Sequence, residues 1–155
     1  MTKLPYHEGD AFAVPLRDSR YALGVIARMP ATGKILVGYF FKEVFQVPPA
    51  PGDLPVLNPH DAIKIFRFGD LRLNNGTWPI ITPVACWRRQ EWPIPKFMRE
   101  DPLRKRAWLI SYSDADPGTE KHSEPCDWGT TGYERAGLTG AGFVEEVLTA
   151  LLSKK

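Results

Sequence analysis

Apolar and polar positions alternate through residues 10–16, placing Phe12, Val14 and Leu16 on one face of an extended chain. Arg17, Asp18 and Ser19 make a short polar turn. In residues 21–28, Tyr21, Leu23 and Val25 share a face, and Gly24 marks a bend or a close backbone approach. A loop from Met29 to Gly33 leads into residues 34–42, apolar almost throughout, as a strand covered on both sides should be. Three strands joined by such short loops predict a tightly curled antiparallel sheet.

The pattern then loosens. Residues 47–59 contain five prolines, at 48, 49, 51, 55 and 59, and read as an extended surface connection; a ligand for a proline-recognition module is the rarer reading of such composition. Asn58-Pro59-His60-Asp61 is suited to cap a short helical turn. Ile63 and Ile65 alternate, but Phe66 and Phe68 continue on the opposite phase, which predicts a bulge or a short helix. Asn75-Gly76 is the strongest hairpin signal, since a type I′ turn needs positive φ at both positions. It would join residues 70–73 to 77–87, where Pro79 and Pro83 favour a sheet edge. Residues 107–112 form the last evident strand. Residues 142–153 predict an amphipathic helix packing through Phe143, Val147 and Leu151, with Val144, Leu148 and Leu152 in the row beside it. Lys154 and Lys155 suit the negative end of its dipole.

A chain of 155 residues is expected to form a single domain: a bent-sheet core over 9–113, an acidic loop over 114–134 and the helix over 142–153. Fifteen prolines and 13 glycines chop the chain into elements too short for a helical bundle. The expected class is mainly β, a strongly bent antiparallel sheet or small barrel with an amphipathic C-terminal helix. Two cysteines, Cys86 and Cys126, make no disulfide framework. No apolar stretch is long enough for a secretory signal or a membrane span, so a cytoplasmic protein with no membrane partner is expected. The net charge of +2 gives no footprint of a dedicated nucleic-acid binder. Its distribution is uneven: residues 88–106 carry seven cations against three carboxylates, whereas 114–134 carry six carboxylates against Lys121 alone.

Catalytic chemistry finds little support. Gly129-Thr130-Thr131-Gly132 lacks the lysine and spacing of a phosphate-binding loop. His7, His60 and His122 are isolated from one another, and no nucleophile elbow occurs. Glu120, His122, Glu124 and Cys126 are spaced by two, so on a strand they would share a face and could meet a divalent metal. Pro117, Gly118 and Pro125 instead predict a solvated loop, and nothing nearby would orient a Cys126–His122 pair. No catalytic residue, metal or cofactor is therefore expected. Trp78 and Trp108 lie in apolar strands and are expected in the core. Trp92 lies among arginines, a mixture found on nucleic-acid surfaces and protein interfaces alike.

Gly9-Asp10-Ala11-Phe12-Ala13-Val14-Pro15-Leu16, followed by Arg20-Tyr21-Ala22-Leu23-Gly24-Val25-Ile26, resembles the immunity protein 26 family of bacterial polymorphic toxin systems. A second match is Gly69-Asp70-Leu71-Arg72-Leu73-Asn74-Asn75-Gly76-Thr77-Trp78-Pro79-Ile80-Ile81, similar to that family's turn, glycine and tryptophan before an apolar strand. The resemblance covers roughly residues 9–87. It implies a small, mostly β, non-enzymatic protein that binds and neutralises a cognate toxin in the cytoplasm, and it brings no catalytic residues. The alternative is a small β-barrel binding nucleic acid through the basic stretch 88–106. For a toxin partner, the expected contact residues are Asp114, Asp116, Glu120, Glu124, Asp127 and Trp128. Clustered carboxylates mimic phosphate and speed encounter with a basic partner, and Trp128 would serve as anchor. Against this stands the reading of the same acids as a solvated loop.

Overall fold

The computed structural model describes residues 4–153; the dipole role expected of Lys154 and Lys155 lies outside the described residues. Strands β1 (Asp10–Pro15), β2 (Tyr21–Arg28) and β3 (Ile35–Phe45) form the expected antiparallel meander. They are followed by β4 (Lys64–Gly69), a single-turn helix α1 (Leu71–Asn74) and β5 (Ile80–Pro83). Next come β6 (Phe97–Asp101), β7 (Arg106–Tyr112), β8 (Glu120–Cys126) and helix α2 (Ala141–Leu152). The strands make two antiparallel sheets, ordered β4-β3-β2-β1-β5 and β6-β7-β8. The protein is mainly β, and the larger sheet is open: β4 and β5 are its edges and do not pair with each other.

Period-two alternation sorts the side chains of the larger sheet into two cores. Phe12 and Val14 of β1, Ala22 and Ile26 of β2, Leu36 and Phe40 of β3 and Phe68 of β4 meet Trp78, Val144 and Leu148 on one face. Leu23, Val25, Val37, Tyr39 and Phe41 line the other, with Leu57 and Trp92. Because β3 is buried on both faces, its sequence carries no polar alternation. The first core is unusually aromatic, and two glycines make room for it. A Cβ on Gly24 would stand 2.5 Å from the Phe12 ring and 3.0 Å from that of Phe40; one on Gly38 would stand 2.7 Å from Phe68. With hydrogen in those places, Phe12 stacks on Trp78 at 5.6 Å and meets Phe40 edge-on at 5.8 Å.

Four expectations need correction. Asn75-Gly76 is not a hairpin turn but the end of α1. Asn75 follows the last helical residue, and Gly76 takes the left-handed φ of +81° that commonly terminates helices. A positive φ at Gly76 serves both structures, so the glycine does not separate them, whereas Asn75 at φ −91° excludes the type I′ turn. The change of phase at Ile63 and Phe66 needs no bulge, since β4 pairs with β3 in unbroken register. Ile63 simply precedes the strand, its backbone N–H donating to the Phe40 carbonyl. Bulges fall instead in the β1–β5 and β2–β3 pairings. In α2 the buried row is Val144 and Leu148, while Phe143 and Leu151 are 58% and 51% exposed. The adjacent row won because Glu145, beside Val144, accepts a 2.8 Å hydrogen bond from the buried Trp78 indole, which sets the helix rotation. Finally, residues 114–134 are not all loop, because they contain β8.

The smaller sheet is joined to the larger by residues 134–139. Thr139 N–H donates to the Arg67 carbonyl at the free edge of β4, and the Met98 and Ala136 N–H groups bond this segment to the edge of β6. Phe97, Ile110, Tyr112 and Ala136 close a third, smaller core beneath it. Two buried arginines fasten the junction. Arg67 donates to the carbonyls of Pro117 (3.0 Å) and Ala136 (2.5 Å), with its guanidinium 3.8 Å over the Tyr112 ring. Arg28 donates to the carbonyls of Ala27, Arg89 and Trp92 and to the Asp114 carboxylate. Burial lowers the Arg67 pKa, yet its donors are matched, as a buried guanidinium requires.

Candidate partner-binding surface

The sequence places its candidate carboxylates close together in the chain; the fold spreads them. β8 is an edge strand, where Pro125 is tolerated because no ladder partner needs its missing N–H. Seven extended residues span on the order of 20 Å, so Asp114 and Asp127, flanking β8, lie at opposite ends of it. An irregularity pairs Tyr112 with Glu120 and Ser111 with His122. Glu120 therefore points to the face opposite His122, Glu124 and Cys126. The spacing by two does not bring the four onto one face, and the described residues contain no metal-ligating group of three or more.

Most of these carboxylates are held by cations of the same chain. Asp114 accepts from Arg28 Nε at 2.9 Å and Arg89 Nη1 at 2.6 Å, and Arg89 also donates to Glu8 at 2.7 Å. The hydrogen bond from Arg28, seconded by Arg89, holds the Asp114 carboxyl below its usual range. Glu120 pairs with Arg99, and Glu124 with Lys96 at 2.5 Å; each is likewise held low by its cation. Asp116 shapes its own turn, accepting from Gly118 N–H at 3.0 Å and the Thr119 hydroxyl at 2.8 Å. Asp114, Glu120 and Glu124 are thus compensated by cations of the chain. Asp116 and Asp127 have no ion-pair partner among the described residues, and Trp128 is 42% exposed.

Part of the basic stretch 88–106 is compensated in the same way. Arg89, Lys96 and Arg99 are the partners just named, and Trp92 is buried against Tyr39 and Phe41, out of reach of a stacking base. Trp78 is buried as expected, and Trp108 is half-buried. The sequence reading missed Arg28 and Arg67 as fasteners. The signal was one arginine inside or ending an otherwise apolar strand, which forces a built set of acceptors.

Two concave regions remain on the surface. One runs between the proline-rich connection and β5, as adjoining cavities of about 280 and 590 Å³ sharing Val56, Leu57, Val84 and Ala85. Its lining is largely apolar, with His60, Cys86 and Glu91 among the residues of the larger cavity. The other, of about 420 Å³, lies at the β6–β7 hairpin and is lined by Lys105, Arg106, Trp108, Pro125, Asp127 and Trp128, among others. No helix among the described residues is long and apolar enough to cross a membrane.

No curated protein and no solved structure matches the chain. The family model for immunity protein 26 does, over residues 7–109. That span takes in the whole five-stranded sheet, its aromatic core strands, β6 and most of β7; β8 and α2 lie beyond it. The two sequence motifs built around Gly24 and Trp78 both converge on that aromatic core. On this match, the chain belongs to the immunity protein 26 family.

Proposed function

We propose that this protein is a bacterial immunity protein that binds a cognate toxin in the cytoplasm and neutralises it by covering the toxin's working surface. The observation that carries this reading is the family match over residues 7–109, which spans the complete larger sheet. The surface is in keeping with it. Its concave regions are rich in apolar and aromatic side chains, the chemistry of protein recognition. Neutralisation is then stoichiometric occlusion: the protein withholds the toxin from its target and transforms nothing. Of the residues first expected to meet the partner, Asp114, Glu120 and Glu124 also pair with cations of this chain, whereas Asp116, Asp127 and Trp128 do not.

The test is co-expression with the toxin domain encoded next to this chain's gene. Cells carrying the toxin domain alone are expected to stop growing, and cells carrying both to grow. Growth arrest in the presence of well-expressed, folded immunity protein would count against the proposal.

A further inference from the structure

Resting on that toxin-binding reading, we infer that the cleft at the β6–β7 hairpin is where the partner docks, and that it receives an acidic segment of the toxin bearing an aromatic or aliphatic side chain. Trp108 and Pro125 stand directly opposite one another on β7 and β8, and Arg106 shares their face two residues before Trp108. Trp128, just beyond β8, forms the outer wall with Asp127. Leu103, at the tip of the hairpin, is 97% exposed. Nothing in the described chain covers these apolar surfaces.

Charge decides what they fit. Arg104, Lys105 and Arg106 are consecutive and exposed. Arg104 reaches Asp101 only at 3.9 Å, and Lys105 and Arg106 have no ion-pair partner among the described residues. Elsewhere around this sheet Lys96 is matched by Glu124, Arg99 by Glu120 and Arg135 by Glu100, and Lys121 stands alone on β8. Three consecutive cations thus stand at one hairpin, beside two tryptophans, with Asp101 and Asp127 as the local counter-charges. An arginine fork takes a carboxylate in two parallel hydrogen bonds, and tryptophan and arginine are the side chains most enriched at interface hot spots. Nucleic acid fits less well. Phosphate recognition needs a basic track, and here the cations flanking the hairpin are already paired within the chain.

The experiment titrates the adjacent-gene toxin domain with wild type, Lys105→Glu/Arg106→Glu, Trp128→Ala and Lys42→Glu, at low and moderate salt. The hairpin reversal is expected to weaken binding on the order of tenfold or more, chiefly through slower association at low salt. Trp128→Ala is expected to weaken it about tenfold through faster dissociation. Lys42→Glu, reversing an exposed cation of β3, should leave affinity within about twofold. Thermal unfolding of each variant confirms that the fold is kept. Wild-type affinity in both the hairpin reversal and Trp128→Ala would overturn the inference and leave toxin neutralisation standing. Failure of the wild type to bind would overturn the functional reading itself. A 20-base-pair DNA duplex is the second probe: duplex binding that the hairpin reversal abolishes, with toxin binding untouched, would assign the cleft to nucleic acid and also overturn the inference.

Discussion

Gly24 shows how one residue constrains the arrangement of many. Its missing side chain is the space that the Phe12 ring occupies, and any Cβ there must displace that ring or Phe40. Rings held between strands and Trp78 have nowhere cheap to go, so Gly24→Val is expected to lose about 1–3 kcal/mol by overpacking. Thermal or urea unfolding checks this, and a wild-type midpoint would contradict it. The requirement for a close approach at Gly24 was legible in the sequence because glycine inside an apolar alternation has few other uses; which ring fills the space was not, since it depends on pairing across three strands. Asp114 was legible only as charge. In the fold it is an acceptor for Arg28 and Arg89, and its folded pKa is depressed. A depressed carboxylate stabilises the protein above its unfolded pKa, near 3.8, and that stabilisation is lost as pH falls through the lower folded value. Asp114→Asn is therefore expected to be less stable than wild type at neutral pH, with the gap closing in strongly acidic buffer. Paired denaturation curves at neutral and acidic pH read this directly; a gap independent of pH would contradict the assignment.

At the scale of elements, local pattern predicted the strands that are buried on at least one face and failed where tertiary contacts choose. β1, β2 and β7 fall where apolar alternation places them, and β3 where a continuous apolar run does. β8 was hidden because it is an exposed edge strand, polar on both faces and interrupted by Pro125, so neither periodicity nor propensity marks it. β6 was masked by its charges, Arg99, Glu100 and Asp101. For α2, two neighbouring apolar rows are equally plausible in sequence, and the Trp78–Glu145 hydrogen bond selects between them. Leu148→Ala is accordingly expected to cost about 2–5 kcal/mol, as for a fully buried leucine, whereas Leu151→Ala should stay within about 1 kcal/mol of wild type. Chemical denaturation of the pair decides it; equal losses, or a larger loss at Leu151, would mean that the helix is rotated from the orientation described.

Across the whole molecule, charge pairing joins what the sequence separates. Residues 88–106 carry a net +4 and 114–134 a net −5. In three dimensions three pairs join them, Arg89 with Asp114, Lys96 with Glu124 and Arg99 with Glu120, across the junction of the two sheets and within the smaller one. The acidic site was only partly legible for that reason: sequence shows where charges cluster along the chain but not which of them cancel. Among what survives cancellation is a cationic hairpin beside Trp108 and Trp128. The larger sheet, matched by the family model, supplies an aromatic core, and the smaller sheet carries the hairpin proposed to meet the partner. The central claim, neutralisation by reversible occlusion, is tested most directly by titrating the activity of the adjacent-gene toxin domain with purified protein and then separating the two. Activity is expected to fall in step with complex formation and to return in full when the toxin is recovered free of the immunity protein. A toxin that stays active at saturating concentrations, or one that remains inactive after separation, would contradict the account.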